Sequence, residues 1–411
     1  MNKKLLVIGF VWPEPKSSAA GSRMLQLITQ FQKQGYVVSF ACAAKISTNT
    51  FDLAGIGVTT KAILLNDACF DVFVSELKPN VVLFDRFMVE EQYGWRVAEQ
   101  YPDALRILDT EDFHGLRKAR GKALKEATDM SLAHLHNNTT KREIASIYRC
   151  DLSLIISEAE MDILRDQFKI DASLLCYLPF LVAPVTSSDI EKLPTFEERQ
   201  HFITIGNFLH EPNYDAVLYL KQSIWPLLKK QLPQATLHIY GAYESQKVTQ
   251  LHHEKEGFLI KGFAEDVNSV MQNAKVCLAA LRFGAGLKGK LIDAMQNGTP
   301  CGMTTIAAEG MFGHIAPNGF IEDAPEHFVA QAVALYQDET LWNQAQQQGF
   351  KVLNQRFDVA LFEAAFFNRL TELLKDLKTH RQRNFMGQLL QHQTLQSTKY
   401  MSKWIAAKNE G

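Results

Sequence analysis

The sequence contains the segment Arg282-Phe283-Gly284-Ala285-Gly286-Leu287-Lys288-Gly289-Lys290-Leu291-Ile292-Asp293-Ala294-Met295. It follows an apolar run at residues 276–281, which is typical of a buried parallel strand. Its glycines permit a sharp turn and a close approach to a ligand. A helical pattern begins at about Lys290 and ends at Asn297-Gly298, a pair suited to a left-handed cap, with Pro300 just beyond. The segment therefore predicts a strand, a glycine turn and a helix.

The charged residues of this segment suit a phosphorylated ligand. A phosphate at the start of the helix would meet unpaired backbone N–H groups and the positive end of the helix dipole. Lys288 and Lys290 add full charges there, and Asp293 lies one helical turn further on, where a carboxylate can accept hydrogen bonds from a ribose diol. The alternative is an ordinary strand, turn and helix whose glycines serve tight packing. The lysines and the acid favour a nucleotide-sugar site.

The rest of the chain repeats the alternation of apolar runs with helical patterns in two series. Such alternation predicts a parallel sheet with helices on both faces in each of two domains. The second series begins at residues 202–206, and residues 183–189 have the polar, proline-containing composition of a linker. We therefore predict domains at residues 1–183 and 190–356, followed by a C-terminal helix and basic tail at residues 357–411. Ligands of such domains bind at the carboxyl ends of the strands, in the cleft.

The composition, 46% hydrophobic and 21% charged residues, is typical of a globular protein, and 411 residues are enough for two domains, each with its own hydrophobic core. The net charge of -2 gives no global attraction to nucleic acid. Six scattered cysteines form no Cys-x-x-Cys pair, so we expect free thiols in a reducing compartment such as the cytoplasm.

The apolar run at residues 5–12 resembles a signal peptide, but Pro13 and Pro15 break it, and a first buried strand is the better interpretation.

The motifs resemble the donor site of retaining glycosyltransferases with the GT-B fold. Gly-Ala-Gly-Leu-Lys-Gly-Lys-Leu-Ile-Asp-Ala-Met, then Gly298-Thr299-Pro300 and Thr304 to Met311, is similar to the family 4 branch in which a Gly-Ala-Gly-Leu-Lys turn leads into the helix. The resemblance covers most of the chain and implies two Rossmann-like domains that face a cleft. In the wider family two glutamates flank seven residues, and the second binds the ribose. Asp293 matches the second acid, whereas the first falls at Ala285.

The resemblance also implies roles for residues elsewhere in the second domain. Gly206-Asn207 opens a loop that resembles the family's phosphate-contacting loop, but the arginine and lysine common there are absent. Lys288 and Lys290 would then carry the charge that stabilises the leaving phosphate, with Gly286 at the turn. Two further glycines, Gly241 and Gly262, resemble the loops that receive the base. Asp266 is expected to cap its helix. Glu309 resembles an acid found near the donor sugar.

The first domain is expected to hold the acceptor. Gly21 and Arg23 lie in the loop and helix after the first strand, where Gly21 would permit close approach and Arg23 could meet an anion; the alternative is a solvated arginine. His114 and Asp112 follow a predicted strand and resemble cleft residues near the donor sugar. The alternatives are a structural histidine and an aspartate, Asp109 or Asp112, that caps the next helix.

The resemblance implies a hexosyltransferase that takes a sugar from a nucleotide-sugar donor, with retention. No Asp-x-Asp triplet lies near a suitable strand end, so we expect no metal and no cofactor. The acceptor would be a glycan, a lipid-linked sugar or a protein. A sugar-nucleotide epimerase and a non-catalytic sugar-nucleotide binding subunit are the alternatives. An NAD-dependent dehydrogenase is disfavoured, because Gly9 and Gly21 lack the fingerprint spacing.

The C-terminal tail combines basic and aromatic residues. These residues are Arg381, Arg383, Lys399, Tyr400, Lys403 and Trp404. Such a tail could rest on the anionic inner face of a membrane that carries a lipid-linked acceptor. The interpretation we favour is a helix packed on its own protein.

Overall fold

The computed structural model describes residues 3–392 together with residues 400, 401, 404 and 408. Seven strands form the first sheet: β1 Lys3–Gly9, β2 Tyr36–Cys42, β3 Thr59–Ala62, β4 Val81–Asp85, β5 Leu105–Asp109, β6 Leu152–Ile155 and β7 Leu175–Tyr177. Six strands form the second sheet: β8 Gln200–Ile205, β9 Leu237–Tyr240, β10 Phe258–Gly262, β11 Ala274–Ala279, β12 Cys301–Met303 and β13 Gly319–Ile321.

Helices connect these strands in both domains. In the first half they are α1 Ala19–Lys33, α2 Cys69–Leu77, α3 Phe87–Gln100, α4 His114–Lys125, α5 Leu132–Leu135, α6 Asn138–Arg149, α7 Glu158–Asp166 and α8 Ser187–Ile190. In the second half they are α9 Glu211–Tyr219, α10 Trp225–Gln231, α11 Gln246–Thr249, α12 Val267–Asn273, α13 Gly289–Gln296, α14 Thr305–Ala308, α15 Pro325–Gln337 and α16 Glu339–Val352. Three more close the chain: α17 Glu363–Lys375, α18 Leu377–Arg383 and α19 Phe385–Gln391.

Both sheets are parallel and doubly wound. The strand order is β3-β2-β1-β4-β5-β6-β7 in the first sheet and β10-β9-β8-β11-β12-β13 in the second. The order reverses between β1 and β4, and again between β8 and β11, and ligands of such sheets bind outside the carboxyl ends of the strands at these points. The predicted pair of parallel α/β domains is confirmed.

The local sequence explains why these elements form. The strand β1 is an apolar run buried on both faces, as a central parallel strand requires. The helix α1 begins at Ser18, whose hydroxyl accepts a hydrogen bond from the Gly21 N–H. Its residues Met24, Leu27, Ile28 and Phe31 follow the helical period and are buried against the first sheet. None of the described helices is long and apolar enough to cross a membrane.

The C-terminal helices return to the first domain. Phe366, Phe367 and Leu370 of α17 are part of the core around β1. Arg381 of α18 donates to both carboxylate oxygens of Asp151, at 2.7 Å each, so this part of the tail packs on its own protein. Lys399 and Lys403 lie outside the described residues.

Candidate active site

The glycine turn and α13 form one wall of the cleft between the domains. Lys288 is the residue before α13, and Gly286 has φ of 65°, in the left-handed region. A Cβ at Gly286 would lie 2.8 Å from the Cβ of Asp112, so the turn can approach the first domain closely only with glycine at this position. Lys290 and Asp293, three residues apart on one face of α13, both line the cleft.

The two lysines of this wall have different partners. Lys288 is buried, and its Nζ donates to the carbonyl oxygens of Ala285, at 3.1 Å, and Gly286, at 2.6 Å. Lys288 therefore also stabilises its own turn through these hydrogen bonds. Lys290 Nζ donates to Asn213 Oδ1 at 3.1 Å.

Burial governs the ionisation of this wall. It lowers the pKa of Lys288 and of Lys290 to about 8, and it raises the pKa of Asp293 to about 7. Among the described residues none donates a hydrogen bond to the Asp293 carboxyl. An Asp293 carboxyl beside two cations suits a ligand that carries both hydroxyl donors and negative charge.

The first domain supplies the opposite wall through His114 and Asp112. His114 Nδ1 lies 2.9 Å from the Asp112 carbonyl oxygen and 3.2 Å from Glu143 Oε1. Because a carbonyl oxygen only accepts, Nδ1 carries the proton, and in the neutral imidazole Nε2 is left as an acceptor. The Asp112 carboxylate pairs with Arg117. Although burial opposes it, Arg117 and His114 lower the pKa of Asp112 below its usual range.

Glu143 holds this part of the wall in place, and sequence reasoning missed it. Its carboxylate is 2% exposed and accepts hydrogen bonds from the backbone N–H groups of His114, at 2.8 Å, and Gly115, at 2.6 Å. It thereby accepts from the otherwise unpaired N–H groups at the start of α4. The sequence analysis gave this capping role, as an alternative, to Asp109 or Asp112. Glu143 lies in the middle of an amphipathic helix, where no local signal marks a functional acid.

The cleft has a volume of about 820 Å³ and is lined by both domains. Eight of the predicted site residues line it: Asp112, His114, Gly206, Asn207, Gly241, Lys288, Lys290 and Asp293. Asp266 caps α12 as predicted, because its side chain accepts from the Asn268 N–H at 3.0 Å. The other five predicted residues, Gly21, Arg23, Gly262, Gly286 and Glu309, are not among the lining residues.

The surroundings of Arg23 and Gly21 correct two of these five predictions. Arg23 is neither solvated nor open to an anion: it is 1% exposed and bound to Asp109 through Nη2 at 3.0 Å. Gly21 is close to backbone rather than ligand, since a Cβ there would lie 2.5 Å from the Glu14 carbonyl carbon.

Glu309 and the glycine turn contact the first domain. Arg120 of α4 forms a two-fold hydrogen-bonded pair with Glu309, at 2.6 and 2.8 Å, and also donates to the Gly284 carbonyl at 2.9 Å. Glu160 of α7 accepts from the Gly286 N–H at 2.7 Å and from the Phe113 N–H at 2.9 Å. The turn of the second domain is thus held by two side chains of the first, neither of which the sequence placed at this contact.

With this geometry in place, the chain can be compared with known proteins. Residues 199–338 match the family model described as Glycosyl transferases group 1. The matched stretch includes the glycine turn and α13 of the second domain. No curated protein is significantly similar to the chain.

Solved structures extend the likeness to both domains. The pneumococcal O-GlcNAc transferase GtfA, in complex with UDP and GlcNAc, is 14% identical, with a TM-score of 0.68 over 92% of this chain and 100% of that chain. Anabaena Alr3699/HepE, in complex with UDP and glucose, is 15% identical, with a TM-score of 0.67 over 90% and 99%. A TarM mutant from S. aureus is 14% identical at a TM-score of 0.57, and here the match covers 73% of this chain and 58% of TarM. The protein has the predicted GT-B fold.

Proposed function

We propose that the protein is a glycosyltransferase that moves a hexose from a nucleotide-sugar donor to an acceptor hydroxyl. The observation that carries this proposal is the placement of Lys290 and Asp293 on one face of α13, beside Lys288, in a cleft between two doubly wound domains. The group 1 match over residues 199–338 supports it. The structures of HepE and GtfA, which contain UDP with a sugar, also support a nucleotide sugar as the donor.

In the proposed mechanism the lysines and the start of α13 stabilise the leaving nucleoside diphosphate. Negative charge develops on the phosphate as its bond to the sugar breaks, and prepositioned cations and backbone N–H groups act on that charge. Asp293 accepts from the ribose hydroxyls. His114 faces the sugar with Nε2 as an acceptor, and Asp112 flanks it. We extend the proposal to retention without a metal, on the resemblance of the donor turn, with the leaving phosphate assisting deprotonation of the acceptor.

A thermal-shift screen against UDP-, GDP-, dTDP- and ADP-sugars tests the donor site. We expect one nucleotide class to stabilise the protein, and Lys290→Ala and Asp293→Ala to abolish the shift. Loss of a charged hydrogen-bonding partner corresponds to about 1.5–3 kcal/mol, or roughly 10- to 100-fold in affinity. Lys230→Ala and Asp129→Ala, at exposed positions, are the matched controls and should leave the shift unchanged.

The same screen separates the proposal from its alternatives. No shift with any sugar nucleotide would contradict the proposal. Conversion of the bound sugar nucleotide to its epimer without an acceptor would indicate an epimerase, and binding without turnover on any acceptor would indicate a non-catalytic subunit.

Donor affinity should depend on pH through Lys288 and Lys290, whose pKa burial lowers to about 8. The ammonium form binds phosphate, so the contribution of the two lysines to affinity is full below pH 7 and is lost as the pH rises through 8. The diphosphate of a sugar nucleotide does not titrate in this range. We expect a fall of about tenfold or more between pH 7 and 9, measured by calorimetry. Lys290→Arg keeps its charge and should reduce the slope, and an unchanged wild-type affinity at pH 9 would refute the assignment.

A further inference from the structure

Three neighbouring strands of the first sheet end in residues that the donor site does not use. Phe10 follows β1, Arg86 follows β4 and Glu111 lies two residues beyond β5. These strands are adjacent in the sheet, so their carboxyl ends meet at one edge. All three residues line the cleft on the wall opposite α13.

Two of these residues have strained backbones. Arg86 has φ of 72° and ψ of 159°, a region that is essentially restricted to glycine. Its conformation is held by its N–H, which donates to the Asp109 carbonyl at 2.8 Å. Glu111 has φ of 62°, also in the left-handed region. Strained residues that line a cleft point to a binding role, because a merely structural position would be filled more favourably by glycine.

The hydrogen-bonding groups of this edge are not satisfied by their neighbours. Within the part of the chain that the structure describes, the Arg86 guanidinium makes no hydrogen bond. It forms one ion pair, at 3.7 Å to Asp85, and lies 5.2 Å from the centre of the Phe10 ring. Asp85 Oδ1, the atom of that ion pair, and Glu111 Oε1 are buried and have no hydrogen-bond partner among the described residues. Buried polar atoms are nearly always paired, so the free donors of Arg86 and the unpaired oxygen of Glu111, both on residues that line the cleft, match a ligand that offers both acceptors and donors.

A sugar ring has this combination of properties. Its hydroxyls donate and accept, and its C–H face packs on an aromatic ring such as Phe10, which is 42% exposed. An anionic ligand fits less well, because four carboxyl groups, those of Asp85, Glu111, Asp112 and Asp109, lie near Arg86. Resting on the proposed function, we propose that Phe10, Arg86 and Glu111 form an acceptor subsite for an uncharged pyranose.

The ionisation of Glu111 agrees with this assignment. Burial, and then the nearby Asp109, raises the pKa of Glu111 to about 8. The protonated carboxyl can both donate to and accept from a hydroxyl, and it leaves Arg86 as the charged group of the subsite.

Saturation-transfer NMR on the full chain, with the donor nucleotide present, tests the subsite. The probes are p-nitrophenyl glucoside, galactoside and N-acetylglucosaminide as neutral pyranosides, the glucuronide as an anionic one, and a Ser/Thr peptide. We expect a neutral pyranoside to bind, and Phe10→Leu and Arg86→Ala each to weaken binding by about tenfold or more, whereas Phe10→Tyr, which keeps the ring, retains it. The thermal shift by nucleotide should persist in all of these variants.

The pair Arg86→Gly and Arg86→Ala separates binding from stability. Glycine adopts the observed φ and ψ without strain, so Arg86→Gly should melt at a higher temperature than Arg86→Ala. Both should lose the pyranoside equally. If instead both variants retain the pyranoside, Arg86 is structural and the proposal is wrong.

The remaining outcomes are equally decisive. Preference for the glucuronide or the peptide, or no binding by any probe while nucleotide still stabilises the protein, would overturn the acceptor subsite alone. Loss of the nucleotide shift in the wild-type protein would instead refute the proposed function.

Discussion

Arg23→Ala is expected to destabilise the first domain by about 3–5 kcal/mol, the usual consequence of removing one partner of a buried ion pair. Arg23 lies in the core with Asp109, which is 0% exposed. Its Nε and Nη2 donate to the Asp109 carboxylate, and its Nη1 donates to the carbonyl oxygens of Leu178, at 2.8 Å, and Pro179, at 3.0 Å. The substitution therefore leaves a buried carboxylate and two carbonyls without their donor.

Urea unfolding followed by circular dichroism measures this loss. Arg165→Ala removes an exposed arginine paired with Asp166 and is the control, for which we expect a change of about 0–1 kcal/mol. The double variant Arg23→Met with Asp109→Leu removes both charges and should recover much of the stability. If Arg23→Ala changed the stability no more than the control does, the pair would not hold the domain together.

Glu160→Ala is expected to affect both stability and donor binding. Glu160 is 0% exposed, and its Oε1 accepts from one N–H of each domain, those of Phe113 and Gly286. Each buried N–H left without an acceptor costs about 1–3 kcal/mol. Because Gly286 belongs to the turn that precedes Lys288, we expect nucleotide affinity to fall by about tenfold or more, as measured by calorimetry.

Glu160→Gln is the matched variant, because it keeps an oxygen acceptor without the charge. Burial, and then Asp112, raises the pKa of Glu160 to about 8. The folded protein therefore keeps a proton that the unfolded chain releases at its lower pKa, and this contribution to stability is lost as the pH rises towards 8. Glu160→Gln should bind nucleotide like the wild type, and its stability relative to the wild type should rise from pH 5 to pH 8. Equal donor affinities for the Ala and Gln variants would contradict the role of Oε1.

The sequence predicted those parts of the molecule that depend on local patterns. The glycine turn, the helix from Gly289 to Gln296 and the position of Asp293 follow from spacing within a few residues, and the structure places Asp293 in the cleft. The parallel sheets follow from apolar runs that alternate with helical periods. Short or exposed strands escaped notice: all four residues of β3 are exposed, and β12 and β13 have three residues each.

Residues whose roles depend on distant partners could not be predicted. Arg23 follows small residues in a loop and helix start that resemble an anion site, yet its partner Asp109 is 86 positions away. Glu143, Glu160 and Arg120 lie on helices with ordinary amphipathic patterns, and their functional contacts are made with other elements. In each case tertiary packing, rather than a local motif, decides what the charged side chain contacts.

The chain passes between the two domains twice, at Val182 and again near Asp358, and the two passages are joined. The Val182 N–H donates to the Phe357 carbonyl at 2.9 Å, and the Val359 N–H donates to the Val182 carbonyl at 3.0 Å. Opening of the cleft should therefore pivot at this bridge, because both connections between the domains pass through it.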